Sequence, residues 1–208
     1  DNVMVFYSNN LVVNGNFSEV WFCGVSNASA FINLTNDGGT YAYYGGFFAR
    51  DSSNLNITIP YYYGAFWITK VTYSNFTFGK GFVKATYEWP HGSGTTTWIN
   101  YSSHNIFKNM NITTKFTKLY YSSYNKFYNM NIKSNTDAYS RGTLALLSDA
   151  RYNIFENLTV NNSGNIGIEE NGLYVRGNKF KNVKVQASQG FYFYGTSGTP
   201  RNTHDNIS

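Results

Sequence analysis

The stretch NIFKNMNI, Asn105 to Ile112, decides the fold because it keeps returning. It recurs as NKFYNMNI at Asn125 to Ile132, NIFENLTV at Asn153 to Val160 and NKFKNVKV at Asn178 to Val185. The shared skeleton is Asn, any, Phe, any, Asn, apolar, any, apolar. Successive copies start 20, 28 and 25 residues apart, and a further copy opens at Asn206. A period of this length marks a stack of supersecondary units. The alternation inside each copy has period two, so each copy reads as a strand. Phe107, Phe127, Phe155 and Phe180 face one way, and Lys108, Tyr128, Glu156 and Lys181 face the other.

The spacing leaves no room for a crossover helix. Between copies stand further short strands, such as Lys118 to Tyr121 and Thr143 to Leu147, and turn clusters of Ser, Asn, Asp and Gly. The predicted object is an all-β, single-stranded parallel β-helix of roughly eight to nine rungs, with equivalent strands about 4.8 Å apart. The four phenylalanines then form one internal column. Asn105, Asn125, Asn153 and Asn178 form a ladder of amides at one corner, and Asn109, Asn129, Asn157 and Asn182 form a second.

The first half is less regular. NLVVNGNF, Asn10 to Phe17, fits the skeleton loosely, with Val12 in the Phe slot. Candidate strands are Phe31 to Leu34, Ala42 to Phe48, Leu55 to Ile59, Gly64 to Val71, Asn75 to Phe78 and Phe82 to Tyr87, rich in Tyr, Phe, Ile and Trp. Tyr61 to Tyr63 and Glu88 to Gly94 read as loops, the latter with Pro90-His91-Gly92 as a longer excursion. No linker interrupts the chain, so residues 1–208 read as one β-helix domain, irregular over 1–100 and regular over 101–208.

The region Asn105 to Val185 resembles the right-handed parallel β-helix repeats of the pectate-lyase-like superfamily, most of all NosD-type and carbohydrate-binding, sugar-hydrolase-like repeats. The resemblance implies the fold and leaves the activity open, since that superfamily holds lyases, hydrolases, epimerases, adhesins, tailspikes and inert surface proteins.

Composition points outside the cell. Charged residues make up 13%, against about 25% in ordinary soluble domains. Low charge with abundant Tyr and Asn resembles surface proteins of thermoacidophilic archaea, whose neutral amides and hydroxyls keep their hydration in acid. The sequons number ten, roughly twice what chance gives in so Asn-rich a chain. Asn16, Asn27, Asn33, Asn56, Asn75, Asn100, Asn111, Asn161 and Asn206 are the candidate carriers of N-linked glycans, whereas Asn157 is expected to be buried in its ladder. The chain begins with Asp1, which fits either a removed secretion signal or a fragment. The lone Cys23, among Trp21, Phe22 and Val25, reads as a buried thiol and excludes an internal disulfide framework.

A search for chemistry yields little. Lyases of this fold would need clustered acids for calcium plus a basic residue, and hydrolases two or three close aspartates; here eleven acidic residues are dispersed. Glu169-Glu170 alternates across a strand, Asp149 and Arg151 read as a surface ion pair, and His91, His104 and His204 lack metal-ligand spacing. No catalytic, cofactor-binding or metal residue is assigned. The net charge of +5 is scattered. A weak basic stripe of Lys108, Lys126, Lys179 and Lys181 is conceivable, but no nucleic-acid motif accompanies it. Tyr61-Tyr62-Tyr63 with Phe66 and Trp67, and Phe191 to Tyr194, are dense enough to offer sugar-stacking platforms. No capping helix is visible at either end. The expected role is therefore an extracellular structural or adhesive protein, self-assembling through open β-helix ends into a filament, sheath or virion appendage. The alternative is a carbohydrate-active enzyme or polysaccharide-binding module.

Overall fold

A computed structural model of the chain describes residues 1–35, 46–84, 95–113, 116–134, 143–162, 166–194 and 200–208. These residues form strands and turns, with no helix among them. One sheet holds β1 (Asn2–Phe6), β3 (Glu19–Cys23), β5 (Gly46–Ser53), β7 (Ala65–Thr72), β9 (Thr95–Asn100), β12 (Phe116–Tyr120), β14 (Leu144–Leu147), β16 (Ile166–Asn171) and β18 (Gln189–Tyr194), in that order. The second holds β2 (Val12–Phe17), β4 (Ser29–Thr35), β6 (Asn56–Tyr63), β8 (Asn75–Lys84), β10 (Ile106–Lys108), β13 (Lys126–Ser134), β15 (Ile154–Asn162), β17 (Lys179–Gln186) and β19 (Thr203–Ile207). The short strand β11 (Asn111–Thr113) continues β10 and pairs with β13 and β8.

Every pairing between these strands is parallel, and the chain alternates between the sheets as it advances. This is a parallel β-helix. The sheets face each other across a core that includes Phe22, Phe47, Phe66, Ile32, Ile57 and Ile68.

Register explains why the same residue type recurs. Phe107, Phe127, Phe155 and Phe180 are direct partners on successive strands. Their rings are buried and lie parallel at 4.7, 4.7 and 4.8 Å, tilted by no more than 6°. That spacing is the strand separation of a sheet, and it falls within the range where offset aromatic rings attract. The column runs on past the repeats: Phe76 stacks on Phe107 at 5.2 Å, and His204 stacks on Phe180 at 5.2 Å.

The interior corner is built from amides. Asn125 Oδ1 accepts from Asn105 N at 3.1 Å and Asn105 Nδ2 at 3.0 Å. Asn125 in turn donates through N and Nδ2 to Asn153 Oδ1, and through Nδ2 to Ser102 O. Asn153 repeats the pattern onto Asn178, and Asn178 onto Asn202. Asn105, Asn125, Asn153 and Asn178 are fully buried, and each has both amide hydrogens and its oxygen occupied. Serine serves the same end earlier in the chain and beside the first two asparagines: Ser52, Ser74, Ser102 and Ser122 Oγ accept from Val25, Leu55, Val71 and Ser102 N. At the other end Asn202 donates to Glu170, whose other oxygen lies 2.9 Å from His204 Nε2. The interior carboxylate of Glu170 is thus satisfied by the last members of the amide ladder and the Phe column.

The second set of asparagines is exposed. Asn109, Asn129, Asn157, Asn182 and Asn206 all have φ between 53° and 61°, the left-handed region that Asn tolerates. Their amides bond outside the coil, Nδ2 to Oδ1, at 2.8 to 3.1 Å.

Several expectations change. The Phe slot of the first repeat is Val13, not Val12, because Val13 aligns through Ala30, Ile57 and Phe76 to Phe107. Tyr61 to Tyr63 belong to β6, not a loop. Asn157 is exposed, because its left-handed backbone turns it out of the core. Cys23 is only half-buried, since alternation puts Phe22 inside and Cys23 on the outer side of β3. Ala42 to Gly45, Ala85 to Tyr87, and the Glu88 to Gly94 excursion with His91 lie outside the described residues.

Replacing Asn125 by Leu leaves two Asn105 donors without an acceptor. The expected loss in urea unfolding is about 2–4 kcal/mol, whereas Asn129→Gly, which keeps the left-handed turn and removes two exposed bonds, changes stability by less than about 1 kcal/mol. Equal losses would show that the buried ladder has no special weight. A second expectation concerns Tyr62, whose buried hydroxyl donates to Ala65 O. Burial raises its phenol well above the ordinary value near 10. Its contribution to stability is therefore full below that value and lost as pH rises toward the raised one. Absorbance at 295 nm should show one tyrosine ionising only with unfolding. Tyr62→Phe should flatten the alkaline fall in stability.

Candidate functional site

The corner between the two sheets has a regular plan. A residue with positive φ leaves the first sheet, a buried small residue follows, then an outward residue in an isolated bridge, then a second residue with positive φ. Tyr101-Ser102-Ser103-His104 and Tyr121-Ser122-Ser123-Tyr124 are two consecutive copies. In earlier windings the second left-handed slot holds Asn10, Asn27 and Asn54; in later ones it holds Tyr73, His104, Tyr124 and Tyr152. The first slot holds Tyr7, Asp51 and Lys70 before Tyr101 and Tyr121. Left-handed backbone costs a bulky L-residue roughly 1–2 kcal/mol, so aromatic residues here need compensation.

Stacking supplies part of it. Tyr73, His104, Tyr124 and Tyr152 form an outer column with ring separations of 4.9, 5.0 and 5.0 Å. Tyr101 and Tyr121 form a parallel pair at 4.9 Å, tilted by 2°. Tyr120 meets Tyr121 edge-on at 4.5 Å. Its hydrogen bond to Tyr121 is the main reason the Tyr121 phenol is raised above its ordinary value.

Beyond Tyr121 the corner lengthens. Two residues, Tyr121 and Ser122, separate the partnered positions Tyr120 and Ser123. Three, Ser148, Asp149 and Ala150, separate their partners Leu147 and Arg151. Four, Gly172, Leu173, Tyr174 and Val175, separate the next pair, Asn171 and Arg176. The inserted residues bulge outward, because Ala150 and Val175 keep the buried small-residue slot. No ring continues the Tyr101–Tyr121 pair among the described residues, and a cleft of about 390 Å³ opens there, lined by Tyr101, Tyr121, Ser123, Tyr124, Asp149, Arg151 and Tyr152.

The charged residues of the cleft are tied together. Arg151 donates through Nε and Nη2 to the two oxygens of Asp149, and the Asp149 carboxylate raises the Arg151 pKa further. The Arg151 guanidinium also lies 5.9 Å from the Tyr174 ring centre. The expected Asp149–Arg151 ion pair is present and forms one wall of the cleft.

Other expected features fall elsewhere. Phe66 is buried in the core and Tyr62 is held inside, so neither joins a surface platform, while Tyr61 is exposed. Tyr192, Phe193 and Tyr194 are exposed on β18. The basic stripe is interrupted: Lys108, Tyr128, Glu156, Lys181 and Asp205 share one register, and Lys181 pairs with Glu156 at 3.0 Å. Among the sequons, Asn16, Asn27, Asn56, Asn75 and Asn206 are exposed, while Asn33, Asn100, Asn111 and Asn161 are half-buried. Among the described residues no group of three or more His, Cys, Asp or Glu could hold a metal ion.

No protein-family model matches the chain, and no curated protein matches it. Among solved structures it is similar to the A-module of the mannuronan C-5 epimerase AlgE4 of Azotobacter vinelandii. The TM-score is 0.48 at 11% identity, over 97% of this chain and 58% of that one. The chain therefore spans a little over half the length of that module.

The corner plan predicts which substitutions the backbone accepts. Tyr124→Asn puts into the slot the residue that Asn54 already supplies with φ 54°. It relieves left-handed strain while losing two ring contacts, so thermal unfolding should change by no more than about 1 kcal/mol. Tyr124→Val, β-branched and unable to stack, should cost about 2 kcal/mol or more. A larger loss for Asn than for Val would refute this account of the corner.

Proposed function

We propose that the chain is an extracellular, glycosylated β-helix that binds polysaccharide at this aromatic corner. The observation that carries the reading is the placement of tyrosines where the backbone favours Asn or Gly. Tyr73, Tyr101, Tyr121, Tyr124 and Tyr152 all occupy the left-handed region. Strain of this kind gathers at functional sites. Here it lines a cleft that offers what a sugar ring requires: an aromatic face against the C–H face of a pyranose, and a few fixed polar groups against its hydroxyls. Tyr121, stacked on Tyr101 and lining the cleft, supplies the face. Asp149, Arg151 and Ser123 supply the polar groups. The low charge and the exposed sequons support the extracellular setting.

A subunit joining end to end draws on the free edges of the outermost strands β1, β2, β18 and β19. Those edges would serve equally to continue the coil in a longer chain, whereas the cleft is specific to its windings.

Affinity electrophoresis of the intact chain through gels containing soluble polysaccharides tests the reading. Retardation by at least one polymer is expected. Tyr121→Asn should weaken it by about tenfold or more, about 1.4 kcal/mol, with unfolding unchanged to within about 1 kcal/mol. Retardation that survives Tyr121→Asn would place binding elsewhere, and no retardation by any polymer would end the proposal.

A further inference from the structure

The chain carries a net charge of +5, which by itself suggests an acidic polysaccharide. The cleft argues otherwise. Resting on the saccharide reading above, we infer that the ligand is a neutral saccharide, recognised through its hydroxyls without charge attraction.

The charges that line the cleft belong to Arg151 and Asp149, and they cancel. Both Asp149 oxygens accept from the Arg151 fork, through Nε and Nη2. A bidentate fork is the geometry by which Arg would otherwise seize a uronate carboxylate or a sulfate. With Asp149 already in that place, an acidic sugar would have to displace a carboxylate held two residues away on the same chain. It would also bring its own charge within a few ångströms of Asp149. The remaining lining is uncharged: Ser123 and four tyrosines, of which Tyr121 is held protonated beyond the ordinary range by its bond to Tyr120. The nearby basic groups are not part of the cleft lining. Arg176 follows Arg151 in the same outward column but does not line the cavity. Lys181 is paired with Glu156 on the other sheet.

The same arrangement suits neutral sugars. The Arg151 N–H groups not directed at Asp149 donate, and the Asp149 lone pairs left over accept, so one rigid pair presents both partners that adjacent hydroxyls need. Fixing each side chain by the other lowers the ordering cost of binding. Tyr124 and Tyr152 add hydroxyls that donate or accept.

The test is a comparison of neutral polymers (glucan, mannan, galactan) with uronate polymers, by affinity electrophoresis and calorimetry on the whole chain, at about 20 mM and about 500 mM salt. Neutral polymers should bind, with affinity changing less than about twofold across that range. Asp149→Asn should release the Arg151 charge, raise uronate binding by about tenfold, and make it fall with salt. Wild-type binding to uronates that drops about tenfold or more in high salt would overturn the neutral ligand while leaving the saccharide reading intact. Failure of the wild type to bind any polymer of either class would overturn both. Asp149→Asn without any gain on uronates would show that the pair does not set the ligand's charge.

Discussion

The coil depends on one interaction, the bond by which each buried asparagine gives its side-chain oxygen to the backbone and side chain of the asparagine one winding before it. A tight corner leaves N–H and C=O groups pointing into an apolar interior, where an unpaired group costs roughly 1–3 kcal/mol. Asn105, Asn125, Asn153 and Asn178 answer this with one residue each, because an amide both donates and accepts. The solution works only if the next winding has the same residue at the same place. Identity at that corner then fixes register, and fixed register forces the phenylalanines two positions on to lie over one another. A slip by one residue would break the amide ladder and turn the Phe column outward together. Glu170 shows the rule at its limit: a carboxylate is tolerated inside because Asn202 and His204 end the two columns upon it.

Where this ladder runs, the sequence is transparent. The Asn–Phe skeleton yields the fold, the strand faces and both sets of asparagines. It becomes opaque where other residues solve the same problem. In the first half Ser52 and Ser74 satisfy the corner, and Leu11, Ala28 and Leu55 take the buried Asn slot. No Asn announces the register there, so Val13 is mistaken for its neighbour. Tyr61 to Tyr63 look like a loop because Pro60 and three tyrosines lack an alternating pattern, yet Gly79 lets β8 pack against Pro60 and the strand continues. The corner cleft was written in the sequence as YSSHN and YSSYN, just outside the skeleton. Its signal is the aromatic residue before the buried Asn. Spacing alone does not locate it: relative to the 20-residue interval, the corner gains only one of the eight extra residues before Arg151 and two of the five before Arg176.

The outer tyrosines are held by two opposed terms of similar size. Left-handed backbone costs each about 1–2 kcal/mol, and each ring contact returns about 0.5–1.5 kcal/mol. Tyr124, with a ring on either side at 5.0 Å, comes out near balance. A ring at the end of a column has one neighbour and does not. Gly177 follows Tyr152 in the slot, and a Cβ there would stand 2.5 Å from the Tyr152 ring. The column therefore ends by letting its last tyrosine lie over a glycine. Stability alone gives no reason to prefer these rings over the Asn of the earlier windings, which stands in the same slot with far less strain.

A strictly periodic coil has little to offer a ligand. When each winding repeats the last at 4.8 Å, every ring finds a partner on both faces and every amide its acceptor, and the surface presents edges. An aromatic face becomes available only where the period fails. That happens at Tyr121: the following winding gains a residue, Ser148 stands where the next tyrosine would be, and Asp149 moves outward to meet Arg151. The regular ladders hold the Tyr101–Tyr121 pair rigid from below, and the insertion uncovers it from above. The repeat supplies the stiffness, and the lengthening of the corner beyond Tyr121 opens the cleft.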